Sequence, residues 1–320
     1  MNSPSKSIEI LGIGVSVLDV LMVVDELPTD ESVVRAKDRR ISLGGGVAVA
    51  TATAAMMGGQ VSFADRLGND VASQTILAEL KSAGVNVDHI EVVKEQSASV
   101  ATVWVRQNSG SRTIVFSPGS DIPLSWNDEL AAAVANAKIL HCNGRHVETC
   151  LRAIEIAKRS DTLVSFDGGA HRYRDEVLPL VRASDILIVS EHFAAAHVNG
   201  DDVHGNSDPA TLAEQLAADF DARIVGVTAG DRGSWFVCRN NGRWHEPAVN
   251  VDRVVDTTGC GDTFHGAFLY GIAKGFSVRR SSHLASIVAA NNACGLGALA
   301  VDLNSIELKI NRNTSSFSNH

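Results

Sequence analysis

The sequence predicts an α/β fold in which a doubly wound, mostly parallel sheet is flanked by helices. From about residue 130 onward, short apolar runs alternate with helical segments, as is typical of parallel βαβ units. Polar residues follow three of these predicted strands, at 143–146, 167–169 and 190–192. Because ligands bind beyond the carboxyl ends of the strands in such folds, we expect several of these residues to line one crevice.

The remaining elements follow from local patterns, taken in chain order. An apolar run at 8–15 predicts a buried first strand, and small residues at 47–57, after Gly44-Gly45-Gly46, predict a buried helix. Another apolar run at 249–255 predicts a strand, followed by a helix through Phe264 and Phe268. The other predicted strands are 61–64, 99–107, 113–116, 138–142, 162–167, 185–189 and 223–228. The other predicted helices are one through Ile76, Leu77 and Leu80 that ends at Gly84, and those at 128–137, 147–159, 173–183, 208–220 and 280–293.

Two segments, at about 20–43 and 97–118, interrupt the alternation with short strands. They predict a small β-sheet that stands off the main sheet as a lid. One face of such a lid would lie over the pocket, and the other face would have to be shielded from solvent. We therefore expect a homodimer through the lid. We assign residues 1–310, lid included, to one domain, and the Asn- and Ser-rich residues 311–320 to a disordered tail.

The composition excludes several classes of protein. A net charge of −9 argues against binding of nucleic acid through a broad basic face. No apolar run reaches the roughly 18 residues of a membrane span, and the N-terminus lacks a basic segment followed by an apolar one, so we expect no membrane association. The five cysteines are scattered, odd in number and without a C-x-x-C pair, which predicts reduced thiols in a cytoplasmic protein.

The most informative stretch is 254–275, where a predicted strand, the turn Gly259-Cys260-Gly261 and a helix follow one another. The first N–H groups of a helix lack intrahelical partners, and glycine lets the backbone approach a phosphate closely, so the pattern predicts an anion site. Asp262 would repel a phosphate if it only lined this site. We expect it to act as a general base on a hydroxyl that attacks the phosphate. The alternative is that Asp262 only caps the helix.

Other positions are candidates for ligand contacts, each with an ordinary structural alternative. Asp19, among apolar neighbours, would accept hydrogen bonds from ligand hydroxyls or lie at a strand edge. The glycine run at 44–46 offers backbone N–H groups to a ligand or forms a plain loop. Residues 228–234 form a turn near a nucleotide or a hairpin, and the local pattern favours the hairpin. Arg112 reaches into the cleft or remains in solvent.

The run Asp256-Thr257-Thr258-Gly259-Cys260-Gly261-Asp262 closely resembles the D-T-x-G-A-G-D signature of the ribokinase-like (PfkB-type) carbohydrate kinases. The first acid, the glycine-rich signature and the T-x-G-x-x-G segment of that family have counterparts here in the same order. The resemblance covers almost the whole chain and implies a kinase that uses ATP and Mg²⁺, with Asp262 as the base. It also implies an anion hole at Gly259, Cys260 and Gly261, sugar contacts from Asp19, Gly44 and Gly45, and nucleotide contacts from Thr228, Gly230, Gly233 and Asn292.

The chain departs from the family pattern at three places. Val49 stands where the family usually has a sugar-binding Asn, the family's N-x-x-E is Ser190-Glu191-His192-Phe193, and Cys260 replaces Ala. We retain Val49 as a substrate-site position, although it cannot hydrogen-bond a hydroxyl. The metal ligands stay unassigned. The resemblance also leaves open whether a monovalent cation such as K⁺ lies beside residues 256–258 and 293–297, as in many relatives.

The identity of the phosphoryl acceptor is predicted only by weaker similarities. Segments around Arg112 and Arg145 are similar to those of ketohexokinases, and the glycine run without Asn is similar to that of bacterial sulfofructose kinases. Both imply a ketose, and Arg112 or Arg145 would meet an anionic group on it. Three hypotheses remain: an ATP-dependent kinase of a ketose or related sugar, a nucleoside kinase of the same fold, and a catalytically silent regulator that binds sugar or nucleotide.

Overall fold

The computed structural model describes residues 6–108, 111–200 and 208–304. The predicted tail at 311–320 lies outside these residues, and the assignment of 1–310 to one domain stays a prediction. Within the described residues, the main sheet has nine strands in the order β13-β12-β11-β10-β9-β8-β1-β4-β5. Its strands are β1 (Ile8–Ile13), β4 (Val61–Leu67), β5 (Asn86–Val92), β8 (Ala137–Cys142), β9 (Leu163–Gly168), β10 (Ile186–Ser190), β11 (Ile224–Thr228), β12 (Ser234–Cys238) and β13 (Gly242–Glu246).

The main sheet is mostly parallel. All pairings from β11 across to β5 are parallel, and only β12 and β13 run antiparallel at one edge. The β11–β12 pair is the hairpin that the glycines at 228–234 predicted. These pairings confirm the predicted doubly wound α/β class.

Helices cover both faces of the main sheet and bury two separate cores. Successive residues of β1 point to opposite faces, so Leu11 and Ile13 join one core while Ile10 joins the other. The helices are α1 (Gly46–Met56), α2 (Val71–Ser82), α3 (Asp128–Ala135), α4 (Val147–Arg159), α5 (Leu178–Arg182), α6 (Glu191–Asn199), α7 (Pro209–Asp219), α8 (Cys260–Ala273) and α9 (Val278–Asn292). Among the described residues, none of the helices is long and apolar enough to cross a lipid bilayer.

The predicted lid is a second, four-stranded sheet in the order β3-β2-β6-β7. It comprises β2 (Val17–Val24), β3 (Asp38–Gly44), β6 (Ser99–Arg106) and β7 (Arg112–Ser117). One face carries Asp19 and a small apolar cluster that includes Leu296 of the main domain. The opposite face carries large apolar side chains, of which Ile41 is 58% exposed and Val115 is 54% exposed.

The structure differs from the local predictions at three places. The run 249–255 forms no strand; it is an extended loop whose end is held by α9, because the N–H groups of Val255 and Asp256 both donate to the Ala293 carbonyl. The helix expected at 173–183 is confirmed over most of its length, because a 3₁₀ turn at Asp175–Val177 leads directly into α5, which has Pro179 in its first turn. Helix α6 was missed, and its start is capped by the Ser190 hydroxyl, which accepts a hydrogen bond from the Phe193 N–H.

Candidate active site

Three polar side chains from distant parts of the chain converge on Gly46, the first residue of α1. A Cβ atom at Gly46 would lie 2.8 Å from Asp262 Oδ1, 3.2 Å from Asn143 Nδ2 and 3.2 Å from Asp167 Oδ2. Asn143 follows β8 and Asp167 lies near the end of β9, and these neighbouring strands are in register at Cys142 and Phe166. The carboxyl end of the sheet therefore brings two of the three predicted polar clusters to one point.

Asp262 lies in the first turn of α8, and its side chain does not cap that helix. Gly259 precedes the helix with a φ of 74°, a left-handed conformation that glycine adopts without strain. In the described part of the chain, the N–H groups of Gly261 and Asp262 have no acceptor. The start of α8 thus combines free N–H donors, the positive end of the helix dipole and a carboxylate, the combination that the turn predicted.

The two neighbouring carboxyl groups have pKa values displaced in opposite directions. Burial raises the pKa of Asp262, and the charge of Asp167 raises it further, against the opposing effects of Arg172, His265 and Arg112. For Asp167 burial acts in the same upward direction. This effect of burial is outweighed by the interaction with His265 and by the charge of Arg172, both of which lower the pKa of Asp167. The pKa of Asp167 therefore lies well below its usual range. Asp167 therefore stays ionised while Asp262 is the more basic carboxylate, a division that suits a general base.

Asp167 is contacted by a histidine and an arginine that sequence reasoning missed. Its Oδ1 atom lies 3.3 Å from His265 Nε2, and its Oδ2 atom lies 3.9 Å from Arg172 Nη1. His265 is buried and its ring lies 5.4 Å from that of His141, whose pKa burial lowers to about 3. His265 follows Asp262 by three residues on α8, so helical spacing was the one signal that could have placed it in the site.

Asp19 faces the same site from the lid. It lies on β2 opposite Ser42, and its carboxyl group packs so closely on Gly44 that a side chain there would overlap it. Among the described residues, none donates a hydrogen bond to the Asp19 carboxylate. Burial, followed by the charges of Asp262 and Asp256, raises the pKa of Asp19 to about 7. A buried carboxylate without donors is a ready acceptor for ligand hydroxyl groups.

The Asp19 carboxyl group should make the stability of the free protein depend on pH. Its pKa rises from 3.8 to about 7 on folding, so the native state binds more protons than the unfolded state between these values, and stability falls as pH rises. We expect Asp19→Asn to raise the free energy of unfolding at pH 8, by at most about 4 kcal/mol, and to change it little near pH 4. Urea denaturation at both pH values measures this. An equal difference at both would contradict it.

The turn before α8 is braced by buried polar contacts. Asp256 accepts hydrogen bonds from the N–H and hydroxyl of Thr258 and from the Gly297 N–H. Asn292 is fully buried; its Nδ2 donates to the Thr258 carbonyl at 3.0 Å, and its Oδ1 accepts from the Ala300 N–H at 2.7 Å. These contacts hold the anion-binding turn in shape, and a contact between Asn292 and a nucleotide stays a prediction.

The structure separates the two candidate arginines. Arg112 Nη1 donates to the Thr257 hydroxyl at 2.7 Å, so this lid residue reaches the turn before α8. Arg145 lies in the loop after β8, and burial together with the charges of Arg172 and Arg174 lowers the pKa of its guanidinium. The acceptor hypothesis named Arg112 and Arg145 as alternatives, and they lie in different parts of the site.

The remaining predicted residues lie at more peripheral or buried positions. Val49 has no exposed surface in α1. Burial raises the pKa of the Cys260 thiol to about 11, so it is protonated at neutral pH. Thr228, Gly230 and Gly233 form the end of β11 and the following turn, where Glu191 forms an ion pair with Arg232. Ser190 caps α6 and Phe193 is buried in the core, so neither side chain takes over the role of the Asn or the Glu in the family's N-x-x-E segment.

The sequence profile described as pfkB family carbohydrate kinase matches residues 7–302. The chain belongs to the PfkB family of carbohydrate kinases. Sugar kinases of this family are phosphotransferases that act on an alcohol group, and such ribokinase-like enzymes use ATP. The match confirms the resemblance that the turn before α8 indicated.

Known PfkB relatives differ in their acceptors. The chain is 27% identical over 280 residues to the ATP-dependent 6-phosphofructokinase of Thermoanaerobacterium thermosaccharolyticum, covering 82% of each chain. It is 24% identical to the ketohexokinase of Mus musculus, covering 90% of this chain and 96% of the relative. The ribokinase of Arabidopsis thaliana complexed with ribose and ATP superimposes with a TM-score of 0.80 at 23% identity, covering 95% of this chain and 98% of that one.

Proposed function

We propose that this protein is an ATP-dependent kinase that transfers the γ-phosphoryl group of ATP to a hydroxyl of a ketose or related sugar. The observation that carries the proposal is the Asp262 carboxylate beside the unpaired N–H groups at the start of α8. Phosphoryl transfer needs an acceptor oxygen to be deprotonated and charge on the transferred group to be stabilised. One short segment of this chain offers both functions.

Each neighbouring residue has a role in this reaction. Asp262 takes the proton from the attacking hydroxyl, and its raised pKa suits it to that task. The N–H groups of Gly261 and Asp262 stabilise negative charge on the phosphoryl oxygens. Asp19 and Asn143 orient other hydroxyl groups of the acceptor, and the turn at 230–233 borders the nucleotide. A base in such a position usually contributes roughly 10²–10⁴-fold to the rate.

Two ions belong to the proposal. Mg²⁺ would neutralise charge on the phosphates of ATP, and it is usually held by phosphates, water and one or two carboxylates. Among the described residues no cluster of three or more acidic, His or Cys side chains forms a metal cage, so this mode of binding suits the chain. A monovalent cation such as K⁺ is proposed beside the buried carboxylate of Asp256, which ties residues 256–258 to Gly297.

Release of ADP tests the function directly. The panel contains neutral sugars, sugar phosphates, sulfonated sugars and nucleosides, each assayed with Mg²⁺ in KCl and repeated with EDTA or with choline chloride. We expect ADP release with at least one sugar, loss of it in EDTA and a lower rate in choline. Activity on nucleosides alone would favour a nucleoside kinase. ATP binding without turnover on any compound would favour the silent regulator.

We propose the cytoplasm as the location of this kinase. All five cysteines are free in the structure, three of them buried, and free thiols persist in reducing compartments. The same compartment supplies ATP. Localisation of a tagged copy in the source cells measures this directly.

We also propose a homodimer through the outer face of the lid. Ile41, Met22 and Val115 expose large apolar surface there, and a second copy would cover it. Val115→Glu is therefore expected to convert a dimer into a monomer in sedimentation velocity, because it would bury a charge in the contact. The control is Val92→Glu on edge strand β5, since Val92 is 52% exposed and Val115 is 54% exposed. A monomeric wild-type protein would contradict the proposal.

A further inference from the structure

We propose that the acceptor carries a phosphate group, or an oxyanion of like shape, bound by three arginines beside Asp262. This arginine cluster consists of Arg145, Arg172 and Arg174. The inference rests on the proposed kinase function and narrows it from sugars in general to anionic sugars.

The sheet places the arginine cluster next to the reacting groups. Arg145 follows β8 by a few residues, and Arg172 and Arg174 follow β9. The two strands are parallel neighbours, so the loops leave the sheet side by side at the end where Asn143 and Asp167 meet Asp262. Arg172 contacts Asp167 directly, at 3.9 Å. An acceptor whose hydroxyl faces Asp262 would have its other end within reach of these guanidinium groups.

The positive charge of the arginine cluster is only partly balanced by the protein. Arg145 has no carboxylate partner among the described residues. Arg174 Nη2 donates to the Gly144 carbonyl at 2.5 Å, and its Nε lies 3.9 Å from Glu176, whose side chain is 73% exposed. Burial, followed by repulsion from the charges of Arg172 and Arg174, lowers the pKa of Arg145. A bound oxyanion would relieve that repulsion, and guanidinium groups match its geometry.

Asn143 supplies a second, independent indication of a ligand. Its residue is 5% exposed, and its Oδ1 atom is buried without a hydrogen-bond partner in the described part of the chain. Its Nδ2 atom faces Gly46 and Asp262. Buried amide oxygens are nearly always hydrogen-bonded, so the unpaired Oδ1 atom of Asn143 indicates a donor that the ligand provides. A sugar hydroxyl is such a donor.

A phosphate at the arginine cluster could come from the acceptor or from ATP. The predicted nucleotide turn follows β11, and β10 separates that strand from β9. The arginine cluster follows β8 and β9, on the Asn143 side of the site. This arrangement favours the acceptor as the source, and kinetics can separate the two.

The test uses the full-length protein with neutral and phosphorylated forms of the same sugars: fructose, fructose 1-phosphate, fructose 6-phosphate, ribose and ribose 5-phosphate. For Arg145→Gln and Arg174→Gln we expect the ratio of kcat/KM on the phosphorylated sugar to that on the neutral sugar to fall roughly 10–100-fold, as for loss of a hydrogen bond to a charged group. The KM for ATP should stay constant. The matched control is Arg159→Gln, an exposed arginine on α4 without an ion pair in the described residues, which should leave the ratio unchanged.

The other outcomes distinguish a failure of this inference from a failure of the kinase function. An unchanged ratio would overturn it, and a loss confined to the KM for ATP would assign the arginine cluster to the nucleotide phosphates. Turnover of neutral sugars alone would overturn the inference and leave the kinase function intact. If no sugar releases ADP, the kinase function fails, and calorimetry still tests the arginine cluster: wild type should bind a sugar phosphate of this panel more tightly than Arg145→Gln does. No binding of any of them would overturn it.

Discussion

Replacing Asp262 with asparagine is expected to lower kcat by roughly 10²–10⁴-fold and to leave the Kd for ATP nearly unchanged. Asparagine keeps the size of the side chain and removes its ability to take a proton. It also removes the charge next to Asp167, so the pocket loses electrostatic repulsion and should not unfold. Single-turnover kinetics with the best acceptor of the panel, together with ATP titration by calorimetry, measure both quantities.

A matched control shows whether turnover depends on the carboxylate of Asp262 itself or falls whenever a nearby carboxylate is removed. Asp252 is exposed in the loop that leads to the same turn, and Asp252→Asn makes the same chemical change outside the site. We expect wild-type turnover for this variant. Near wild-type turnover for Asp262→Asn would remove Asp262 as the general base. A pH–rate profile adds a second readout, because the limb that reports the base should disappear in the variant.

Gly46→Ala is expected to lower kcat by about 10²-fold while the protein stays folded. The added methyl would lie 2.8 Å from Asp262 Oδ1 and 3.2 Å from both Asn143 Nδ2 and Asp167 Oδ2, so these groups must move apart. Gly46 is not among the glycines with positive φ, and alanine is the better helix former, so the change should not strain α1. Turnover and the thermal midpoint, measured on the same sample, test this.

Gly261→Ala is the steric control for Gly46→Ala. It makes the same substitution in the same site and keeps the backbone N–H, but a Cβ atom there has no neighbour within 4 Å. Its effect on kcat should be much smaller than that of Gly46→Ala. Equal effects, or a large fall in the thermal midpoint of Gly46→Ala, would contradict the view that the convergence on Gly46 sets the reacting geometry.

The sequence by itself determined the features that depend on neighbours along the chain. The alternation of strands and helices, the glycine turn at 259–261 and the position of Asp262 in the following helix are all local patterns. They were sufficient for the α/β class, the separate lid and the family. Local patterns also failed where tertiary contacts override them: the apolar run 249–255 forms no strand, and the N–H of Val255 at its end donates to the carbonyl of Ala293, just after α9.

The tertiary structure alone decided which distant residues meet. Asn143, Asp167 and Asp262 are separated by many residues and become neighbours only because β8 and β9 are adjacent and α1 and α8 begin at the same end of the sheet. The same pairing of β8 with β9 brings together the loops that carry Arg145, Arg172 and Arg174. Arg112 belongs to lid strand β7 and donates to Thr257 instead. Strand order and register depend on long-range pairing and core packing, which no local pattern contains. The reaction chemistry could therefore be predicted from the sequence of one turn, whereas the residues around the acceptor could be identified only from the tertiary structure.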